Sequence, residues 1–324
     1  MRFEPNPNPD VPSSTSRLVR GLLDRGRLEL PAPGRGDTAQ RFFELSEIAR
    51  TFPVGVGRLA EAHLDATAIL VEAGRQPRPG SLYGVWASTS TPAPILVGDV
   101  LNGTKRFCSG LGVVDRALVV VTNGHEEQLL VDVDTHADDT ISFDLSRWAT
   151  VALADTATGD IEYTNHDIDA DGIVASGEWY LNRPGFWHGA CGPAACWAGA
   201  TYGLIDVAEE MLLDDPHQQA HVGAMRATRW TITALLEQAG RQIDADVDGR
   251  DAAELRGRSL RHSVERLCSD VLDRFARAFG PRPLTADRDV AQRIADTHLY
   301  LRQHHGEREL PAISGLPTRF GGRL

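Results

Sequence analysis

The sequence predicts an α+β protein: an N-terminal helical region, a middle antiparallel, barrel-like β-domain and a C-terminal run of long antiparallel helices. Three observations predict it. Apolar residues recur at helical spacing up to about Gly74. From about Leu82 to Tyr180 the period shortens to that of strands, and from Arg183 helical spacing returns and holds. Elements segregated in this way suggest a sheet module set between helical modules. The corresponding boundaries are 1–80, 81–182 and 183–324.

The first residues, MRFEPNPNPDVPSSTS, lack an apolar core and read as a loose tail. In ELSEIARTF, Ser46 is placed to cap a short helix. VGRLAEAHLDATAILVEAG then sets Leu59, Ala62, His63, Ala66, Ile69, Leu70 and Ala73 near one face and stops at Gly74. RQPRPGS is a linker by composition.

The middle region is a series of short apolar or alternating runs: ILVGDVLNG, ALVVVTNG, EQLLVDVD, TVALADTATGDIEY and GIVASGEWY. Asn102-Gly103 and Asn123-Gly124 are tight-turn signals. Beyond Arg183, GACGPAACWAGATYGLIDVAEEMLL is rich in small residues and suits close helix packing. VGAMRATRWTITALLEQAGRQI and LRGRSLRHSVERLCSDVLDRFARAFG are long amphipathic helices. DRDVAQRIADTHLYLRQH is another, with Thr285 or Asp287 as its cap.

The 324 residues carry 33 basic and 45 acidic groups, a net of −12. An acidic surface argues against nucleic acid or an anionic membrane as partner, since both need Lys and Arg to neutralise phosphate. Four cysteines (Cys108, Cys191, Cys196, Cys268) are too scattered for a disulfide framework and lack zinc spacing, so no metal site is expected. No uncharged apolar run approaches the roughly 20 residues that span a bilayer. The expectation is a cytoplasmic protein.

LNGTKRFCSG, residues 101–110, is the chemically informative stretch. A buried strand does not favour Lys105, Arg106, Cys108 and Ser109 together. Side chains alternate along a strand, so Phe107 and Ser109 are expected on one side. With the domain order, this stretch resembles the acyl-CoA dehydrogenase superfamily over about residues 45–310. Members commonly read L-x-G-x-K-x-[FW]-[IC]-[TS] here, and the resemblance implies a C-terminal four-helix bundle with FAD held between it and the β-domain. The resemblance implies that Phe107 packs beside the flavin ring and that Ser109 bonds near its N5 or O4 edge. A flavin needs a flat apolar contact and a few fixed donors. RAFGPRPLTADRDVAQRIAD resembles the family segment that approaches the cofactor diphosphate, with Gly280 on the family glycine and Asp296 on its aspartate. Pro281 and Pro283 replace more flexible residues. Arg282 is either an anion contact or an exposed loop arginine.

The departures matter as much. The family's catalytic glutamate position falls on His304, with His305 next. The minority position, before Arg183-Pro184, is Asn182. Histidine can act as a base near neutral pH, and a solvated helix end is the alternative for both residues. The family's T/S-E-P-x-x-G-S-D loop is replaced by LYGVWASTSTPAPI. Trp86, Ser88 and Thr89 there are either substitute ring contacts and donors or ordinary strand residues. After the first bundle helix, LLDDPHQQAHVGAM lacks the family arginine that reaches the FAD diphosphate, so FMN is conceivable in place of FAD. Phe186, Trp187 and His188 line a substrate pocket or pack at the domain seam.

By resemblance, the leading function is an FAD-dependent acyl-CoA dehydrogenase-like oxidoreductase. It would desaturate an acyl thioester, or act on another small molecule, and pass electrons to an acceptor protein. The alternative is a flavin-dependent monooxygenase supplied by a reductase. A third reading is a redox-inactive homologue acting in binding or assembly. A homodimer or homotetramer is implied.

Overall fold

The computed structural model describes residues 13–88, 92–136, 138–245 and 249–316. Its secondary structure is α+β, with a mixed sheet followed by a helical C-terminal region. The chain divides into two compact units. One holds the described residues up to Ala32 and Ala62–Phe186; the other holds Pro33–Glu61 and the described residues from Trp187 onward.

The first unit opens with α1 (Ser14–Asp24), so part of the expected tail is helical. Ser13 caps it, its hydroxyl accepting from the Ser16 amide at 3.0 Å. Eight strands form the sheet: β1 (Tyr83–Trp86), β2 (Ile95–Val97), β3 (Val100–Cys108), β4 (Arg116–Asn123), β5 (Gln128–Asp134), β6 (Ile141–Asp144), β7 (Gly159–Asp167) and β8 (Ile173–Ser176). The order is an open path, β6-β7-β3-β2-β4-β5-β8, with β1 on β4; no pairing closes a barrel among the described residues.

Most pairings are antiparallel, but β1 and β2 both lie parallel to β4. They take successive stretches of it: Tyr83–Trp86 face Arg116–Val119, and Ile95–Leu96 face Thr122–Asn123. The expected turn at Asn102-Gly103 is instead an irregularity inside β3, with Gly103 at φ +108°. Asn123-Gly124 does end β4, and the Asn123 side chain accepts from the His125 and Glu127 amides. TVALADTA is not strand but a turn with a 3-10 segment at Ala154–Thr156, and WY of GEWY begins a short helix, α4 (Trp179–Asn182).

The last part of α3 (Val54–Glu72) lays Ala66, Ile69 and Leu70 on Tyr83, Leu118 and Leu130, which forms the core of this unit. Gly74, at φ +73°, allows the chain to leave the helix as expected.

In the second unit α2 (Thr38–Thr51) runs through Ser46, which is therefore not a cap; Ser46 is buried and its hydroxyl donates to the Phe43 carbonyl. After α5 (Gly185–Gly189), which begins at the unit boundary, come α6 (Gly192–Glu210), α7 (Pro216–Ala245), α8 (Arg250–Phe279), α9 (Arg282–Ala286), α10 (Arg288–Leu301) and α11 (Leu310–Gly315). Helices α6, α7, α8 and α10 pack together, and α2 packs on α6 and α7.

The small residues of α6 permit that approach: a methyl at Gly199 would run into the Ser46 carbonyl. The Arg293 guanidinium closes the end of α2, donating to the carbonyls of Ala49, Arg50 and Phe52. Asp287, not Thr285, caps α10, its carboxylate accepting from the Asp289 and Val290 amides.

All four cysteines are free and buried. Among the described residues no group of side chains is arranged to hold a metal, and no helix is long and apolar enough to cross a membrane.

Candidate functional site

The end of β3 departs from ideal alternation. Its register with β7 slips between Lys105 and Cys108, and Phe107 takes a left-handed φ of +61°. The slip separates the two residues expected on one side: Phe107 is 66% exposed, whereas Ser109 is 9% exposed. A bulge adds a residue to one strand and so breaks the period of two.

Ser109 is fixed from several directions. Its carbonyl accepts from Trp86 Nε1 at 3.0 Å, and its Oγ is hydrogen-bonded to Thr158 Oγ1 at 2.9 Å. The Gly110 and Leu111 amides bond to the carbonyls of Thr156 and Ala157. Trp86 is therefore a buried wall behind Ser109. Ser88 Oγ donates to the Arg106 carbonyl at 2.8 Å, which ties its loop to β3; Thr89 lies outside the described residues.

Lys105 was not singled out by the sequence as a site residue, yet it is 1% exposed. Its Nζ donates to the carbonyls of Ser88 at 2.9 Å and Val120 at 2.6 Å. Burial pushes its ammonium down to about 8. A lysine flanked by threonine and arginine gives no sequence signal of burial.

Of the substrate-pocket candidates, all on α5, Phe186 closes the first unit, half-buried and edge-on to Tyr180 at 5.7 Å. Trp187 and His188 belong to the second unit. Trp187 lies under the Arg258 guanidinium, 4.6 Å from its ring centroid.

His304 and His305, predicted together, separate. His304 is 1% exposed in a 3-10 turn after α10, whereas His305 is exposed with φ +62°. The solvated-end alternative therefore fails for His304. Its Nε2 lies 3.3 Å from His262 Nδ1, its ring meets Trp197, and its Nδ1 has no hydrogen-bond partner among the described residues. Burial first, then the positive fields of Arg261 and His262, hold its imidazole down at about 4.

No protein-family model matches this chain, and no curated protein matches it. Likeness to solved structures is extensive. TdsC from Paenibacillus sp. A11-2, in complex with FMN and indole, superposes with a TM-score of 0.74 at 14% identity, over 94% of this chain and 90% of that one. Methanesulfinate monooxygenase MsuC from Pseudomonas fluorescens gives 0.75 at 13%, over 95% and 98%. The HsaA monooxygenase from M. tuberculosis gives 0.71 at 15%, over 94% of each chain.

This is the acyl-CoA dehydrogenase-like fold. Neither expected base position on it holds a carboxylate. One is His304; the other is Asn182, whose Nδ2 donates to Glu178. The neighbouring Arg183 is buried and paired with Glu72 at 2.8 Å.

The residues fit a flavin unevenly. The exposed Phe107 ring suits a flat partner, and Ser109 places a hydroxyl, bonded to Thr158 Oγ1 at 2.9 Å, at the same end of β3. Gly280 ends α8 with φ +66°, a backbone conformation that favours glycine, and a methyl added there meets no protein atom within 4 Å. Arg282 is exposed at the start of the five-residue α9.

Proposed function

We propose that this protein is a flavin-dependent monooxygenase using FMN, supplied in reduced form by a partner reductase, and acting on a small organic substrate. The observation that carries the reading is the joint absence of a carboxylate at both base positions, His304 and Asn182, on a fold whose solved relatives include an FMN-bound form of TdsC and monooxygenases. Proton abstraction beside a thioester needs a base strong enough to act, and an imidazole held near 4 is a poor one. Bound reduced flavin would supply the electrons that activate dioxygen.

The chain's own residues supply binding contacts. Phe107 would flank the ring, and Ser109 would hydrogen-bond near its polar edge. His304, buried and neutral at pH 7, is given no step as a base in this reading. FMN is preferred to FAD because it needs no grip on an adenosine half. A homodimer or homotetramer and a cytoplasmic location belong to the same reading.

Purified protein mixed with FMN tests it. Tight binding, and reoxidation of the reduced complex in air with kinetics distinct from free reduced FMN, are expected. Anaerobic bleaching of the bound flavin by an acyl-CoA would restore the dehydrogenase reading instead.

A further inference from the structure

Trp230, in the middle of α7, is 75% exposed, more than any other large apolar side chain among the described residues. Tryptophan is highly buried on average, so a ring left in water calls for a reason. It does not stand alone. At helical spacing around it α7 exposes Ala220, Gly223, Ala227 and Ala234, and a methyl added at Gly223 meets nothing within 4 Å. On the opposite side Val222, Met225, Ile232 and Leu236 are buried. The helix therefore has one apolar face packed and a second one uncovered.

Two opposite charges border the uncovered face. Arg226 and Glu237 are both exposed, and eleven residues separate them, about three turns and 20° of rotation. They lie on the same edge of the helix, one toward each end, with Trp230 between them. Arg226 pairs with Glu209 at 2.7 Å, and Arg241 with Glu237 at 3.5 Å. Pairs this exposed are weak and leave the side chains able to reach a further partner.

A second copy of the same helix matches both features. When a twofold axis relates two antiparallel helices, each edge meets the same edge of its mate. With the axis midway between the two charges, near residues 231 and 232, Arg226 falls opposite the partner subunit's Glu237, and symmetry repeats the contact. In that register Trp230 comes level with the partner subunit's Ala234, whose small side chain leaves room for the ring. Parallel pairing would instead bring each arginine beside the other arginine. We propose that this face of α7 is a docking surface for a second copy of the chain, packed antiparallel and centred on Trp230. A buried aromatic between small residues, rimmed by charges, is the usual anatomy of such a contact. The proposal stands apart from the flavin reading.

Sedimentation equilibrium over a concentration series tests it on wild type, Trp230→Glu, Ala234→Glu, Arg226→Glu and Glu237→Arg, with circular dichroism and thermal melts monitoring the fold. Wild type is expected to sediment as a dimer or a multiple of one. Trp230→Glu and Ala234→Glu are expected at half the wild-type mass, with the dissociation constant raised at least about a hundredfold. Arg226→Glu and Glu237→Arg each set like charges together twice in a dimer and are expected to weaken association about tenfold. Mixed in equal amounts, these two are expected to regain wild-type association, because the mixed dimer pairs opposite charges at both contacts.

Monomeric wild type overturns the proposal. So does a folded Trp230→Glu or Ala234→Glu variant that keeps the wild-type mass. A mixture of the two charge variants that associates no better than either alone overturns the antiparallel pairing. Failure of both Trp230→Glu and Ala234→Glu to fold would mean that the face is packed within the chain, and equally overturns the proposal.

Discussion

Lys105 Nζ sits 2.6 Å from the Val120 carbonyl oxygen, at a place where, among the described residues, no strand pairs with that edge of β4. β1 covers β4 as far as Val119 and β2 resumes at Thr122, so Val120 falls in the gap. The ammonium fills it, also taking the Ser88 carbonyl from the interrupting loop, and has no carboxylate partner among the described residues. A side chain thus supplies a donor to a β4 carbonyl that no strand edge takes among the described residues.

Lys105→Met should lower thermal stability at pH 7 by several degrees, since two carbonyls lose their donor at a cost of about 1–3 kcal/mol each, offset in part by removal of a buried charge. The pH dependence follows from the folded value of about 8 against 10.5 in the free side chain. Between those values the unfolded chain binds more protons, so wild-type stability rises with pH relative to the variant. The neutral amine still has two hydrogens for the two carbonyls. Melts from pH 7 to 10.5 check this; a constant difference between the two proteins would show an ordinary lysine.

His304 should titrate at about 4 in the folded protein, against 6.5 for a free imidazole. Its neutral form stabilises the fold above pH 6.5, and that contribution declines as pH falls from there through about 4, because the unfolded chain takes the proton first. Replacing His262 with Phe removes a neighbour that lowers the value, so His304 should then titrate higher. Imidazole resonances followed by NMR give both numbers. A wild-type value near 6.5 would mean that water reaches the ring.

Gly199→Ala should destabilise by about 1–3 kcal/mol, because the new methyl collides with the Ser46 carbonyl and pushes α2 from α6. Gly223→Ala in α7 meets nothing within 4 Å and should stabilise by about 0.5–1 kcal/mol through helix propensity. Urea unfolding of the two variants provides the contrast. Equal effects would mean that α2 and α6 do not approach so closely.

Phe107→Gly separates stability from function. The φ of +61° suits glycine, so the variant should gain about 1 kcal/mol in unfolding free energy. If the exposed ring is a cofactor contact, the same variant should bind FMN at least tenfold more weakly. Melting temperature and FMN titration on one preparation decide it; unchanged affinity removes Phe107 from the site.

The helical spans of the second unit were legible in the sequence because amphipathic period, glycine stops and caps are local signals. Gly74 ends α3 and Asp287 begins α10 through bonds to residues within five positions. The sheet was legible as strands but not as pairings. β1 and β2 share β4 because residues more than 25 positions apart bring matching edges together, and no periodicity records that. The site was half legible. The motif pointed to Phe107 and Ser109, but alternation put them on one side and the bulge undid it.

The sequence by itself determined the order of helical and strand regions, the small-residue face of α6 and the lack of a carboxylate at either base position. The first two follow from composition and from contacts made within a turn or two of chain; the third follows from the resemblance, which alone marks those positions. Only the tertiary structure decided that Lys105 is interior, that His304 is buried against His262, and that Ser109 is bonded to the Thr158 hydroxyl. Each depends on a partner from 15 to 49 positions away, and burial or bonding at that range is set by how elements pack rather than by neighbouring residues.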